Sequence, residues 1–286
     1  MEENITIQEP VDQKKKLNIL AIADDSDYGR AAVCHGAMLA AVFSGSLTIV
    51  SKFGFAYEDH TPYADGDAWL LYAQKVVDHN IETIMLPHYY FPETLYQYAE
   101  ETNTIMYVIG VDKSGNEGFF SLRKALRFIK GSRLPVMTVG KELPDKEIYQ
   151  HVVLPLDIER QAKEKALWAG YFSRFYQSTI HILHNDYKDA GLKRQVNDNI
   201  AFVEKLYQNL EVKYELDSVS VNQDIDRYSI EYAPTIGASL TVIMMTRYVT
   251  LGDLLTGRRE KKIIGNPQSL PVLCINQRDD LYVLCT

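Results

Sequence analysis

The chain has 286 residues, a length that suggests about two domains. Hydrophobic residues make up 46% of it and charged residues 24%, so it can bury a core, and a disordered or fibrous protein is excluded. Its 30 Lys and Arg face 38 Asp and Glu, a formal charge of −8. That balance argues against a nucleic-acid partner, because no broad basic surface is available to displace counterions.

Three cysteines, Cys34, Cys274 and Cys285, are few, odd in number and widely spaced, which fits a reducing compartment. Residues 1–16 are polar and lack the apolar core of a signal peptide, so we expect a disordered leader there. No apolar run approaches the ~20 residues that a membrane span needs. Together these features predict a cytoplasmic protein with no membrane partner.

The first half of the chain alternates five predicted strands with four predicted helices. Its first strand, Leu17–Asp24 (LNILAIAD), is apolar and ends on an acid, and small residues at helical spacing follow it. The next elements are a strand at Ser46–Phe53, a helix at Trp69–Val77, a strand at Thr83–Leu86, a helix at Phe91–Thr102, a strand at Thr104–Gly110, a helix at Phe119–Lys130 and a strand at Pro135–Val139.

The second half repeats this order. Val152–Asp157 (VVLPLD) is again an apolar run that ends on an acid and precedes small residues at helical spacing. Pro234 must kink or shorten the third helix of this half. The remaining predicted elements are strands at Ser178–His184, Lys213–Val219, Ser239–Met245 and Pro271–Ile275, and helices at Leu192–Leu210, Ile225–Ile236 and Leu254–Ile264.

The two halves also end alike, with LPVMTV at residues 134–139 and LPVLCI at residues 270–275. A duplication with little length drift explains this agreement of order, type and spacing. The pattern predicts two tandem doubly wound α/β domains, each a five-stranded parallel sheet flanked by about four helices. We predict domain bounds of 17–140 and 150–286, with the polar segment 140–149 as linker.

These patterns resemble the universal stress protein family. The segments AIADDSDYGRAA and LPLDIERQAKEKAL are similar to the opening of that family, and the Pro-Val strands are similar to its end. The resemblance covers Leu17 to Asn276 and implies an adenine nucleotide α-hydrolase-like fold. It also implies pairing of the two domains within the chain through the strands that begin at Pro135 and Pro271. A homodimer and an unidentified regulatory protein are further partners that the resemblance leaves open.

Nucleotide-binding members of the family carry a glycine loop after strand four: Gly, two residues, Gly, nine residues, Gly, then Ser or Thr. Glycines let backbone N–H groups approach phosphates. In the first half Gly110 matches the first position, but Lys113 stands at the second. In the second half Gly257 matches the third position, but Arg258 replaces the hydroxyl. We therefore expect no resident cofactor and weak or absent ATP binding.

Residues at the carboxyl ends of the strands are the candidate ligand contacts. Asp24 and Asp157 stand where the resemblance places an acid near the ribose and adenine, although helix capping would also explain an aspartate at these positions. The basic residues could replace glycine N–H groups as phosphate partners, or be solvated charges. The glycines could face a ligand, or serve turns. The candidates are Asp24, Gly110, Lys113, Asp157, Gly257, Arg258 and Arg259.

The charge of these candidates places any phosphorylated ligand in the second half, between Asp157 and Gly257–Arg259. Two arginines lie there against one lysine in the first half, and arginine suits bidentate phosphate contact better. We predict no metal site, since His181 and His184 are three residues apart on a strand and point to opposite faces.

The chain contains no GxSxG, HExxH or Walker A motif, and we predict no catalytic residue. The first hypothesis is a non-catalytic stress-response or regulatory protein with a degenerate nucleotide cleft. The alternative is an ATP- or AMP-binding universal stress protein with weak nucleotide hydrolysis. A third hypothesis is a cytoplasmic regulator that acts on a transporter in trans.

Overall fold

The structure is a computed structural model of the chain. It describes residues 16–24, 26–51, 73–75, 82–87, 93–145, 147–159, 162–220, 224–245 and 259–276. The strands are β1 (Asn18–Ala23), β2 (Ser46–Ser51), β3 (Glu82–Pro87), β4 (Thr104–Asp112), β5 (Phe120–Ser121), β6 (Val136–Val139), β7 (His151–Leu156), β8 (Thr179–Asn185), β9 (Tyr214–Val219), β10 (Leu240–Met245) and β11 (Val272–Asn276). The helices are α1 (Asp27–Val42), α2 (Glu93–Glu101), α3 (Leu122–Gly131), α4 (Ala162–Tyr176), α5 (Ala190–Asn209), α6 (Ile225–Tyr232) and α7 (Arg259–Ile264), with a 3-10 helix at Ala233–Ile236.

The strands form one sheet in the order β3-β2-β1-β4-β6-β11-β10-β7-β8-β9, with β5 beside β4. Read outward from its centre, the sheet has the same strand order in both halves. Every described pair within a half is parallel, and β6 and β11 are antiparallel. The predicted fold class of two doubly wound α/β units is thus confirmed. The exact domain bounds stay a prediction.

Strands β1, β4, β7 and β10 are buried on both faces along nearly their whole length, which explains their continuous apolar runs. Strand β9, at the end of the sheet, has no fully buried residue. In β7, Val152 and Leu154 belong to one core cluster and Val153 belongs to the other, on the opposite face. Helices α4 and α5 supply the first cluster in this half with residues such as Phe172, and α6 supplies the second with residues such as Ile230.

The central strands β6 and β11 join the halves. Val272 lies opposite Thr138, and Cys274 lies opposite Val136. The Thr138 hydroxyl donates to the carbonyl of Val272 at 3.3 Å. This is the pairing that we predicted for the strands beginning at Pro135 and Pro271. Because the pair is antiparallel, the carboxyl ends of the first-half strands and those of the second-half strands lie at opposite edges of the sheet.

A buried histidine also links the halves. His35 in α1 is 2% exposed, and its Nδ1 forms a hydrogen bond with the hydroxyl of Tyr149, which precedes β7. Burial lowers the pKa of His35 to about 3, although a hydrogen bond with the backbone of Glu142 opposes the shift. A neutral His35 can accept from Tyr149 at Nδ1 while its other nitrogen donates to the Glu142 carbonyl.

Most of the predicted boundaries that fall on described residues lie within two residues of those in the structure, and the end of β4 and the start of α3 are the differences that bear on the candidate site. Strand β4 does not end at Gly110 but continues to Asp112, where Val111 lies opposite Phe120 of β5. Since Phe120 is in that short strand, helix α3 begins at Leu122 rather than at Phe119. Pro234 shortens its helix as predicted: α6 ends at Tyr232 and a 3-10 turn follows. Residues 73–75 are helical, and the rest of the helix predicted at Trp69–Val77 lies outside the described residues.

We expect the buried His35 to make stability depend on pH. Its folded pKa of about 3 is below the usual value near 6.5, so only the unfolded chain gains this proton as the pH falls through 6.5. Acidification therefore stabilises the unfolded chain relative to the folded protein. Between pH 7.5 and 5.0, protonation of His35 in the unfolded chain lowers the free energy of unfolding by about 2 kcal/mol. Denaturant unfolding of the wild type and of His35→Gln over this pH range should show that the free energy of unfolding changes less with pH in the variant. An identical dependence in both proteins would contradict the assignment.

Candidate functional site

The carboxyl end of the parallel strands is where open α/β sheets bind ligands. Asp24 follows β1 and Asp157 follows β7, so both lie at such an edge. The loop after β4, residues 112–118, lies at the first-half edge and is called the Asp112 loop below. Because the halves are antiparallel, the first-half and second-half candidates do not share an edge.

Asp24 binds backbone and side-chain donors of its own chain. One carboxylate oxygen accepts from the backbone N–H of Ser26 at 3.0 Å and from the Ser26 hydroxyl. The other accepts from the backbone N–H of Phe119, just after the Asp112 loop. Ser26 is itself the N-cap of α1, accepting from the N–H of Gly29. Asp24 therefore positions the capping serine instead of capping the helix directly.

The Asp112 loop is wrapped around the Asp112 carboxylate. One carboxylate oxygen accepts from the backbone N–H of Ser114 at 2.8 Å and from its hydroxyl at 2.7 Å. The other accepts from the N–H groups of Glu117 at 2.8 Å and Gly118 at 3.2 Å. Burial acts to raise the pKa of Asp112, but these hydrogen bonds outweigh it and hold the pKa well below its usual range.

Asp112 was not among the sequence-based candidates. A local signal was available, because Asp followed two residues later by Ser in a glycine-containing segment is typical of an Asx turn. The convergence of Glu117 and Gly118 on the second oxygen depends on the whole loop. The loop thus binds a carboxylate of this chain through the kind of N–H cradle that binds anions in other proteins.

Gly110 lies inside β4 and not in a turn. A Cβ atom at this position would lie 2.1 Å from the carbonyl oxygen of Tyr28, in the first turn of α1. The glycine is therefore required by the close approach of helix and strand. The alternative of a turn glycine, weighed from the sequence, was wrong for Gly110.

Lys113 reaches the second half of the chain. Its Nζ lies 3.4 Å from the hydroxyl oxygen of Ser269, which precedes β11. Burial lowers the pKa of Lys113, and the nearby carboxylate of Glu142 opposes this shift. The ammonium group therefore contributes to the junction of the halves.

In the second half, Asp157 also has partners within the chain. It accepts from the Tyr187 hydroxyl at 2.8 Å and from the backbone N–H of Ile158 at 2.7 Å. Burial, followed by the hydrogen bond to Asp157, raises the pKa of Tyr187 to about 12. The side chain of Asn199 donates to the carbonyl of Asp157 at 2.8 Å. These contacts fix the chain at the end of β7.

Arg259 binds two aspartates at the start of α6. Its Nε lies 2.8 Å from Asp224, and a terminal nitrogen contacts Asp226. The Nζ of Lys165, in α4, lies 3.3 Å from the other oxygen of Asp226. Burial acts to lower the pKa of Arg259, but the two carboxylates raise it above its usual value. We call Lys165, Asp224, Asp226 and Arg259 the α6 ion-pair cluster.

The structure brings Asp24 and the Asp112 loop together, and it places Arg259 against acids that the sequence-based reasoning missed. Those acids are far from Arg259 in sequence and occur in no recognisable spacing with it. Gly257 and Arg258, the other second-half candidates, lie outside the described residues. No helix within the described ranges is long and apolar enough to cross a membrane.

Comparison with known proteins shows which solved structures share this fold. No protein-family model matches the chain, and no curated protein matches it. A universal stress protein from Archaeoglobus fulgidus has a similar structure, with a TM-score of 0.63 and 13% identity over 92% of this chain and 97% of that one. A putative universal stress protein from Pseudomonas aeruginosa has a TM-score of 0.61 and 12% identity over 93% of this chain and 95% of that one. The chain therefore has the fold of universal stress proteins, and the predicted resemblance is confirmed at the level of the fold.

Removal of the Asp112 carboxylate should destabilise the protein more than removal of an exposed aspartate. Asp112→Ala leaves three backbone N–H groups and a hydroxyl without their acceptor, so we expect a loss of more than about 2 kcal/mol in the free energy of unfolding. Asp145→Ala is the matched control, because the exposed Asp145 carboxylate accepts only the N–H of Glu147 among the described contacts. Denaturant unfolding at pH 7 measures both variants, and equal losses would contradict the importance of the Asp112 loop.

Proposed function

We propose that the chain is a non-catalytic universal stress protein with a stress-response or regulatory role, and that the nucleotide cleft of its first half is degenerate. One observation carries this proposal. The N–H groups of Ser114, Glu117 and Gly118 donate to Asp112, and the N–H of Phe119 donates to Asp24. These are the donors that a phosphate at the end of β4 would need.

A nucleotide phosphate would have to displace the Asp112 carboxylate from this loop. Asp112 is fully buried, and a buried carboxylate without hydrogen bonds is costly. The incoming phosphate would also meet the negative charges of Asp112 and Asp24. Both effects oppose binding, which supports weak or absent ATP binding in the first half.

The state of Asp112 also supports a non-catalytic role. A general base works best when its pKa is near the working pH, whereas the pKa of Asp112 is held well below its usual range. Its lone pairs already accept hydrogen bonds from the loop. The alternative, an ATP- or AMP-binding protein with weak hydrolysis, would require the loop to open and release this carboxylate.

For any phosphorylated ligand, we propose the second half, between Asp157 and Gly257–Arg259. The α6 ion-pair cluster suggests that Arg258 and Arg259 have different roles in this half. Since Arg259 already binds Asp224 and Asp226, Arg258 is the better phosphate partner of the two arginines. A cytoplasmic location, a homodimer and a regulatory protein partner belong to the same proposal.

Calorimetric titration with ATP and Mg²⁺ tests these statements. We expect the wild type to show no binding tighter than about 1 μM, since the first-half donors are occupied. Any weaker binding should fall further in Arg258→Ala than in Lys113→Ala, the matched first-half variant. Tight binding that Lys113→Ala abolishes and Arg258→Ala leaves intact would contradict both the degenerate first cleft and the assignment to the second half.

A further inference from the structure

Titratable side chains other than those discussed above also cluster on β7, β8 and β9. In this sheet His181 of β8 lies beside Val153 of β7 and beside Glu215 of β9. His151, two residues before Val153, and Asp217, two residues after Glu215, point to the same face, because side chains alternate along a strand. This face is the one that α6 covers. Three neighbouring strands thus bring two histidines and two acids together.

The imidazole of His181 stands between the other histidine and the acids. Its Nδ1 lies 2.9 Å from Asp217 Oδ2 and 3.7 Å from Glu215 Oε2. Its Nε2 lies 3.0 Å from Nδ1 of His151. The His181 side chain is 6% exposed, whereas those of Asp217 and Glu215 are 23% and 61% exposed. A buried nitrogen therefore faces two carboxylates that solvent can reach.

We propose that His181, Asp217 and Glu215 bind a divalent transition-metal ion, with Zn²⁺ as its representative. One donor atom from each residue can be chosen such that all three lie within 4.8 Å of one another. Zinc takes imidazole nitrogen and carboxylate oxygen at ~2.0–2.2 Å, so a small movement of the exposed Glu215 completes the set. Water fills the remaining coordination position.

The hydrogen bonds around the cluster suit this role. When Nδ1 of His181 binds the metal, its proton resides on Nε2 and is donated to Nδ1 of His151. Metal-binding histidines are oriented by an outer-shell acceptor, usually a carboxylate, carbonyl or water, and His151 takes the place of that acceptor here. The hydroxyl of Tyr232, at the end of α6, donates to Asp217 and orients that carboxylate in the same way. The two carboxylates provide the negative charge that a dication needs.

The donor set also decides the class of ion. Calcium and magnesium prefer all-oxygen sites, whereas an imidazole nitrogen favours zinc, nickel and related ions. The ion would link β9, the last strand in the sheet order, to its neighbour β8, because its ligands come from both strands. This proposal replaces the sequence-based prediction of no metal site, which considered His181 only with His184 of the same strand, whereas Glu215 and Asp217 lie on β9.

Titration of the metal-free full-length protein with Zn²⁺ tests the proposal. We expect one bound ion per chain, with the affinity reduced at least about tenfold in Glu215→Gln and in Asp217→Asn. His184→Gln is the matched control on the same strand and opposite face, and it should bind as the wild type does. In ¹⁵N spectra of the imidazole, Zn²⁺ should shift Nδ1 of His181 and leave the proton on Nε2.

Three results would overturn the proposal: no saturable binding by the wild type, unchanged affinity in both carboxylate variants, or an equal loss in His184→Gln. Circular dichroism establishes that each variant is folded. If Asp217→Asn does not fold, Glu215→Gln decides the outcome, because the Glu215 side chain is largely exposed and its replacement leaves the core intact.

Discussion

The antiparallel pairing of β6 with β11 is the constraint on which the rest of the structure depends. It fuses two parallel sheets into one and removes an open edge from each half, which would otherwise offer unpaired backbone groups. It also reverses the direction of the second half relative to the first. The two candidate clefts therefore open at opposite edges of the sheet, and each must be understood from the residues of its own half. Lys113 and His35 strengthen the same junction from the first half.

The hydrogen bonds and ion pairs near the ends of the strands differ between the two halves. In the first half, backbone N–H groups of Glu117, Gly118 and Phe119 donate to the carboxylates of Asp112 and Asp24. In the second half, the arginine that begins α7 is neutralised by Asp224 and Asp226. The two arrangements are built from unrelated contacts, which fits two repeats that kept their fold and diverged in the loops.

Periodicity and the internal repeat predicted the long strands and their alternation with helices along the chain, because these features depend on local apolar patterns. The pairing of β6 with β11 was implied by the family resemblance, and the order of strands within the sheet was not predicted. The candidate site was less predictable because its contacts are not local. Gly110 is fixed by the approach of Tyr28 from another element, and Arg259 by acids on α6. His181 was considered only with His184 on its own strand, whereas its partners lie on β7 and β9. The Asp112 loop was the exception, because its Asx-turn signature could have been found in the sequence.

The occupied donors of the Asp112 loop can be observed directly through their backbone amides. In ¹H–¹⁵N spectra of the full-length protein, we measure the resonances of Ser114, Glu117, Gly118 and Phe119 while ATP and Mg²⁺ are added. If these amides stay bound to Asp112 and Asp24, their resonances remain unchanged throughout the titration. Saturable shifts of these four resonances would show that a phosphate replaces the carboxylates, and would contradict the account of the first cleft.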